Sequence, residues 1–231
     1  MKEYNIKTYD EAVHIIEEIG ILPLAPLIPD YPSLSSMTQK ESWHSDSDSD
    51  PWIWRTKFSA DGVAAYGKFI KKKNVFISRE WFPVVRAILG SKYTVNERYN
   101  DGYFTKEAYN LYNIIEQEEG IDTRLLRQKS DMKEKEKKKL FDQALVELQG
   151  TLDIGISGIK EKQNKNGEKN GWSSTSFETI DYWMKKNGLK LDHWEREDAK
   201  EKLKHHFLNI GCSEAAMKRI EKIFSLELKI V

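Results

Sequence analysis

The sequence predicts an α+β protein, mostly α, built on a winged helix-turn-helix with helical flanks, and leaves open whether winged-helix units occur in tandem. Three observations carry this. Two short helix signals in residues 104–183 precede a lysine-studded helix, a strand–polar turn–strand pattern follows it directly, and capped amphipathic helices lie on both sides.

Thr105 is placed to cap a helix whose Ala108, Leu111, Tyr112 and Ile115 share one face, with Gly120 ending it. Asp122 caps a shorter helix carrying Leu125 and Leu126, and Ser130-Asp131 turns the chain. A third helix is expected over residues 133–149, burying Leu140, Phe141, Ala144, Leu145 and Leu148, with Gly150 as its stop. Leu152, Ile154 and Ile156 then alternate as a half-buried strand does, residues 163–171 read as a polar wing tip, and residues 172–180 as the return strand.

Upstream, Thr8 and Glu11 stand in capping-box register before a stripe of Ala12, Ile15, Ile16 and Ile19, closed by Gly20. Residues 21–51 hold five of the six prolines and many serines, which predicts an extended connection without regular structure. Residues 68–78 read as a hairpin around KKKN, and Ser78 as the start of a helix with Trp81, Val84, Val85 and Ile88. Downstream, residues 185–193 read as a linker. One helix with Ala199, Leu203, Phe207 and Ile210 inward follows, then one capped by Ser213 with Ala216, Ile220, Ile223 and Phe224 inward. The expected organisation is an N-terminal helical and hairpin domain (1–100), the winged helix (101–184) and a C-terminal helical segment (185–231). No internal repeat shows at a fixed period, although a second, divergent winged helix would escape such inspection.

The chain of 231 residues has zero formal net charge, but the charges are segregated. Residues 1–49 carry three basic and nine acidic side chains, residues 50–100 ten and four, residues 101–184 thirteen and sixteen, and residues 185–231 eleven and eight. The single cysteine, Cys212, excludes a disulfide framework and a cysteine-based zinc site. No apolar run approaches the length of a membrane span and the N-terminus is amphipathic and acidic, so the expectation is a cytoplasmic protein without membrane contact.

Double-stranded DNA is the expected partner. Lys135, Lys138 and Lys139 fall opposite the apolar stripe of the third helix, and Lys162 and Lys165 lie in the wing. Lysines so placed neutralise phosphates and release counterions. The strongly positive block adds Lys71, Lys72, Lys73 and Arg79, interleaved with Trp52, Trp54, Tyr66, Phe69, Phe76 and Trp81, a pattern that can follow a backbone and stack on bases. The opposing reading is a solvated charged face over core aromatics, on a scaffold for protein partners.

Signatures of catalysis are few. No GxGxxG, Walker loop or GxSxG is present. His205 and His206 read as surface histidines and Cys212 as inert. Asp46, Asp48 and Asp50 read as a solvated acidic turn, because the glycine and closing glutamate of a calcium loop are missing. No metal and no cofactor is expected.

The stretch KFIKKKNVFISREWFPVVRAIL (residues 68–89), together with LFDQALVELQ in the third helix, resembles the AlkZ/YcaQ group of winged-helix DNA glycosylases and their AlkZ-related relatives. The similarity covers roughly residues 5–183, and WIWR and GEKNGWSST resemble the AlkZ-related branch. The resemblance implies tandem winged-helix-like units around a concave basic surface for duplex DNA. It also implies hydrolysis of the N-glycosidic bond of alkylated bases without metal or nucleotide cofactor. The glycosylases carry Gln-x-Gln or Gln-x-Asp shortly after the first helix, where this chain reads Leu22-Pro23-Leu24. Gln39 and Glu41 are the candidate displaced substitutes, with Asp30 and Glu80 as further carboxylates. Three readings follow: a DNA-binding protein without glycosylase chemistry, an active glycosylase, and a protein-interaction scaffold.

Overall fold

The computed structural model describes residues 4–161, 173–190 and 194–226. It is α+β with two small antiparallel sheets and divides into two compact units, Met1–Gly90 with Lys190–Val231, and Ser91–Leu189.

The first unit begins with helix α1 (Tyr9–Ile19). Thr8 Oγ1 accepts from the Glu11 amide at 3.2 Å, and the Glu11 carboxylate accepts from the amides of Thr8 and Lys7, closing the expected capping box. Gly20 ends the helix at φ 75°, where a Cβ would stand 2.5 Å from Trp81 Cδ1, so both conformation and space require glycine. Strand β1 (Ile21–Pro23) follows, then the short helix α2 (Leu34–Met37), a 3-10 turn (Lys40–Ser42), helix α3 (Pro51–Ala60), strands β2 (Ala64–Ile70) and β3 (Lys73–Ser78), and helix α4 (Phe82–Leu89). Residues 21–51 are therefore not an irregular connection. Ile21 and Leu22 are core residues paired with Ile77 and Phe76 of β3, and Ser33 caps α2 by accepting from the Ser36 amide. The proline and serine content that suggested a loop reflects caps and a sheet edge, where such residues are tolerated. Asp50 is likewise no solvated residue. It is fully buried and accepts from the amides of His44, Asp46 and Trp52, while Pro51 opens α3 where no amide is needed. Ser78 ends β3, and its carbonyl and hydroxyl accept from the Trp81 amide ahead of α4.

The second unit contains helices α5 (Val95–Asn100) and α6 (Lys106–Gln117), strand β4 (Ile121–Asp122), helices α7 (Thr123–Lys129) and α8 (Lys138–Gly150), strands β5 (Ile154–Lys160) and β6 (Ser174–Thr179), and helix α9 (Ile180–Lys186). Thr105 and Asp122 cap α6 and α7 as expected. Helix α8 starts five residues later than the periodicity suggests, because Arg127 donates to the carbonyls of Met132, Lys133 and Glu134 and holds that stretch as a turn. Leu140 is 49% exposed and does not join the stripe of Phe141, Ala144, Leu145 and Leu148. Gly150 lies within the helix. The left-handed residue that stops it is Leu152 (φ 57°), so Leu152 is a cap and not part of the strand. The expected wing tip, residues 163–171, lies outside the described residues, as does Trp172. The region read as a linker begins inside α9.

Helices α10 (Arg196–Asn209) and α11 (Glu214–Phe224) complete the first unit. Ala199, Leu203 and Phe207 are buried as expected, and Ser213 caps α11 by accepting from the Ala216 amide.

The two units repeat one topology. From α1 in the first unit and from α6 in the second the order is helix, strand, helix, helix, strand, strand and closing helix, and in each the first strand pairs with the third and the third with the second. The repetition reaches single hydrogen bonds. After α3 the Val63 amide donates to Phe58 O at 2.9 Å, with Gly62 left-handed. After α8 the Asp153 amide donates to Leu148 O at 3.0 Å, with Leu152 left-handed. The Val63 carbonyl then accepts from the Arg79 amide, as the Asp153 carbonyl does from Ile180, each at 2.9 Å.

Candidate nucleic-acid interface

In the first unit Lys71 and Lys72 form a two-residue turn between β2 and β3, with φ of 49° and 60° and Ile70 paired to Lys73. Such a turn favours Asn-Gly, since both central residues must be left-handed; lysine carries the strain of a Cβ there. Lys71, Lys72 and Lys73 are all exposed at the tip. Arg79 is exposed at the other end of the hairpin, six residues along from Lys73, or roughly 20 Å at the rise of a strand. The structure therefore groups the three lysines and separates Arg79 from them.

The aromatics interleaved with this block are mostly core. Trp54, Tyr66, Phe69, Phe76 and Trp81 are buried, and Tyr66 stacks on Phe76 at 4.6 Å. Of the six, Trp52 alone is open, at 40% exposure. The Arg55 guanidinium lies 3.4 Å over its ring, and His44 packs against it at 4.7 Å.

In the second unit Lys138 and Lys139 open α8 and are exposed; Lys135 precedes the helix in the turn and is also exposed. Lys137, beside them, is engaged with Asp131 and Glu134, and these two carboxylates hold its ammonium pKa above the usual range. Lys162 and Lys165 lie outside the described residues.

The candidate carboxylates have no built environment. Gln39 and Glu41 are exposed around the 3-10 turn, and among the described residues neither side chain has a hydrogen-bond partner. Leu22 and Pro23 are buried in β1 and bring no polar side chain there. Asp30 (φ 52°) accepts from Ser213 Oγ at 2.9 Å, which ties α11 to the chain after β1. Glu80 is exposed.

The carboxylates with raised pKa lie elsewhere, and sequence inspection did not find them. Burial raises Glu119, which accepts from the Thr179 amide at 2.7 Å and from its hydroxyl. Burial also raises Glu178, gripped by Lys186 Nζ at 2.7 Å from both oxygens. Both brace the β6–α9 junction. Glu119 follows α6 as Ile19 ends α1, just before the glycines Gly120 and Gly20; that shared glycine was the signal available in the sequence.

His206 is not a surface histidine. It is half-buried, its ring lies 4.0 Å from Trp81, and Nε2 is 2.9 Å from the Ile19 carbonyl. Burial lowers its pKa, against the backbone contact and the nearby Glu80. Burial pushes the Cys212 thiol up to about 11, which keeps it protonated at neutral pH. Among the described residues no group of three or more His, Cys, Asp and Glu could hold a metal ion, and no helix is long and apolar enough to cross a membrane.

A protein-family model described as AlkZ related matches residues 6–225, nearly the whole chain and both repeated units. No curated protein and no solved structure matches the chain.

Proposed function

The chain belongs to the AlkZ-related family, and from that premise we propose that it is a tandem winged-helix protein that binds double-stranded DNA without hydrolysing it. The observation that carries the winged-helix reading is the repeated helix–strand–helix–helix–strand–strand order with its repeated strand order. In a winged helix the third helix meets the nucleic acid and the hairpin flanks it. On that assignment α3 and α8 are the third helices. The β2–β3 hairpin is a short wing tipped by Lys71, Lys72 and Lys73. Lys138 and Lys139 stand at the first turn of α8, where ammonium groups and free helix amides both suit a phosphate. Lys135 adds to this group. Lys162, Lys165 and Arg79 belong to the same reading as secondary phosphate contacts. No cofactor is called for.

Two features support the absence of glycosylase chemistry. Strand β1 and the residue after it supply only apolar side chains at Leu22-Pro23-Leu24, and the substitutes Gln39 and Glu41 lack the packed, hydrogen-bonded support that a water-activating carboxylate needs.

The experiment is fluorescence anisotropy with a labelled duplex of about 20 base pairs at rising salt, beside an assay of base release from methylated duplex. Affinity that falls steeply with salt, with no released base, is the expected result. Salt-independent or absent binding rejects the DNA reading. Base release that is lost in Glu41→Gln restores the glycosylase reading.

A further inference from the structure

We propose that the start of α3, through the stacked pair Trp52 and Arg55, is a platform for an unpaired base, so that this protein prefers distorted or gapped DNA to intact duplex; the proposal rests on the DNA-binding reading above. The two third helices open differently. Helix α8 begins Lys138-Lys139-Leu140 and α3 begins Pro51-Trp52-Ile53, so the second position is a lysine in one unit and an open indole in the other. The third position is an exposed aliphatic in both, at 39% for Ile53 and 49% for Leu140.

Trp52 is held for stacking. The Asp50 carboxylate accepts from its amide at 2.8 Å, and Arg55 Nε donates to its carbonyl at 3.0 Å, so the guanidinium is fixed in the layer over the ring. A base added to an indole–guanidinium stack gains dispersion and cation–π attraction whatever its sequence. Beside it, Ile53 faces an open cleft of about 520 Å³ between the start of α1 and the loop before α3, a volume in the range of small-ligand sites.

The charges argue for a base and against a duplex backbone. Lys7 and Lys57 line the cleft, but Asp10, Asp46 and Asp48 line it too. Two basic against three acidic side chains leave the lining without a positive excess, so little counterion release is to be had there. An intact duplex offers this surface mainly phosphates, whereas an unpaired base offers a π face. The Lys71–Lys73 tip supplies the opposite kind of contact, all charge and no ring.

The test compares two labelled duplexes with the same flanks, one fully paired and one carrying a three-nucleotide unpaired bulge, bound to the full chain at fixed salt. Wild type is expected to bind the bulged duplex about tenfold or more tightly. Trp52→Ala is expected to remove that preference, within the roughly 5- to 150-fold per stacked base, by weakening the bulged duplex more than the paired one. Trp52→Phe is expected to keep part of it. The preference should change little between low and moderate salt while absolute affinity falls. Equal affinities of wild type for the two duplexes overturn the platform and leave the DNA reading standing, as does an equal loss on both in Trp52→Ala. Failure to bind either DNA overturns both.

Discussion

Arg98 Nη2 donates to the Asp153 carboxylate at 2.6 Å, and both side chains are largely buried, at 8% and 14% exposure. The pair joins α5 to the residue whose amide closes the α8 cap and whose carbonyl receives Ile180. It therefore fixes where β5 begins. Arg98 Nη1 is buried without a hydrogen-bond partner among the described residues, so the guanidinium depends on this one carboxylate for its charge. Removing one member of a buried pair strands the other, at a cost of about 3–5 kcal/mol. Asp153→Ala is expected to destabilise the second unit by that amount in urea denaturation, and Arg98→Met with Asp153→Leu by much less. An effect under about 1 kcal/mol from the single change would show that the pair does not anchor the cap.

Gly20 and Gly120 occupy matching places in the two units and both are left-handed, at φ 75° and 78°. A Cβ on Gly20 meets the Trp81 indole, whereas one on Gly120 meets nothing within 4 Å. Gly120→Ala carries only the conformational penalty, about 1–2 kcal/mol. Gly20→Ala adds overpacking of about 1–3 kcal/mol. Thermal melts should rank the two in that order, and equal losses would contradict the close approach of Trp81.

The turn at Lys71 and Lys72 separates stability from function. The double change Lys71→Asn with Lys72→Gly, which installs the dipeptide this turn geometry favours, is expected to raise stability by about 1 kcal/mol while weakening duplex affinity. A variant that is stabilised yet binds DNA as wild type does would remove the hairpin tip from the interface.

His206 predicts a pH effect. Its folded pKa is lowered by burial, so the unfolded chain takes up the proton first as pH falls. The stabilisation is complete above the unfolded value near 6.5 and declines as pH falls below it towards the folded pKa. Glu119 and Glu178 act with the opposite sign, since their raised carboxyl pKa values favour the fold at low pH. The informative quantity is the difference between wild type and His206→Gln at about pH 7.5 and about pH 5.5, on either side of the unfolded pKa. Wild type should lose more stability on acidification, and equal losses would mean that the ring is not held neutral.

Caps and stripes were the legible part of the fold. Thr8, Thr105, Asp122 and Ser213 each accept the amide their helix start requires, because that hydrogen bond is made within three residues of chain. The β2–β3 hairpin was legible for the same local reason. Strand β1 was not, since three residues carry no period and its partner Ile77 lies far along the chain. The repeat escaped because its units share bonds and not residues: left-handed Gly62 answers to left-handed Leu152, and a two-residue turn to the long connection between β5 and β6. Of the candidate interface, the exposed lysines could be read directly. That Trp52 alone among the six interleaved aromatics stays open could not, because burial depends on which elements cover a helix face.

The most direct test of the central claim is the salt dependence of duplex affinity for wild type and for a variant with Lys71, Lys72 and Lys73 all changed to alanine. Each phosphate neutralised contributes about −0.9 to the slope of log K against log salt. The lysine tip as a phosphate clamp predicts a steep wild-type slope that becomes shallower by about 2 to 3 in the variant. An unchanged slope, or a flat one in the wild type, would contradict the account.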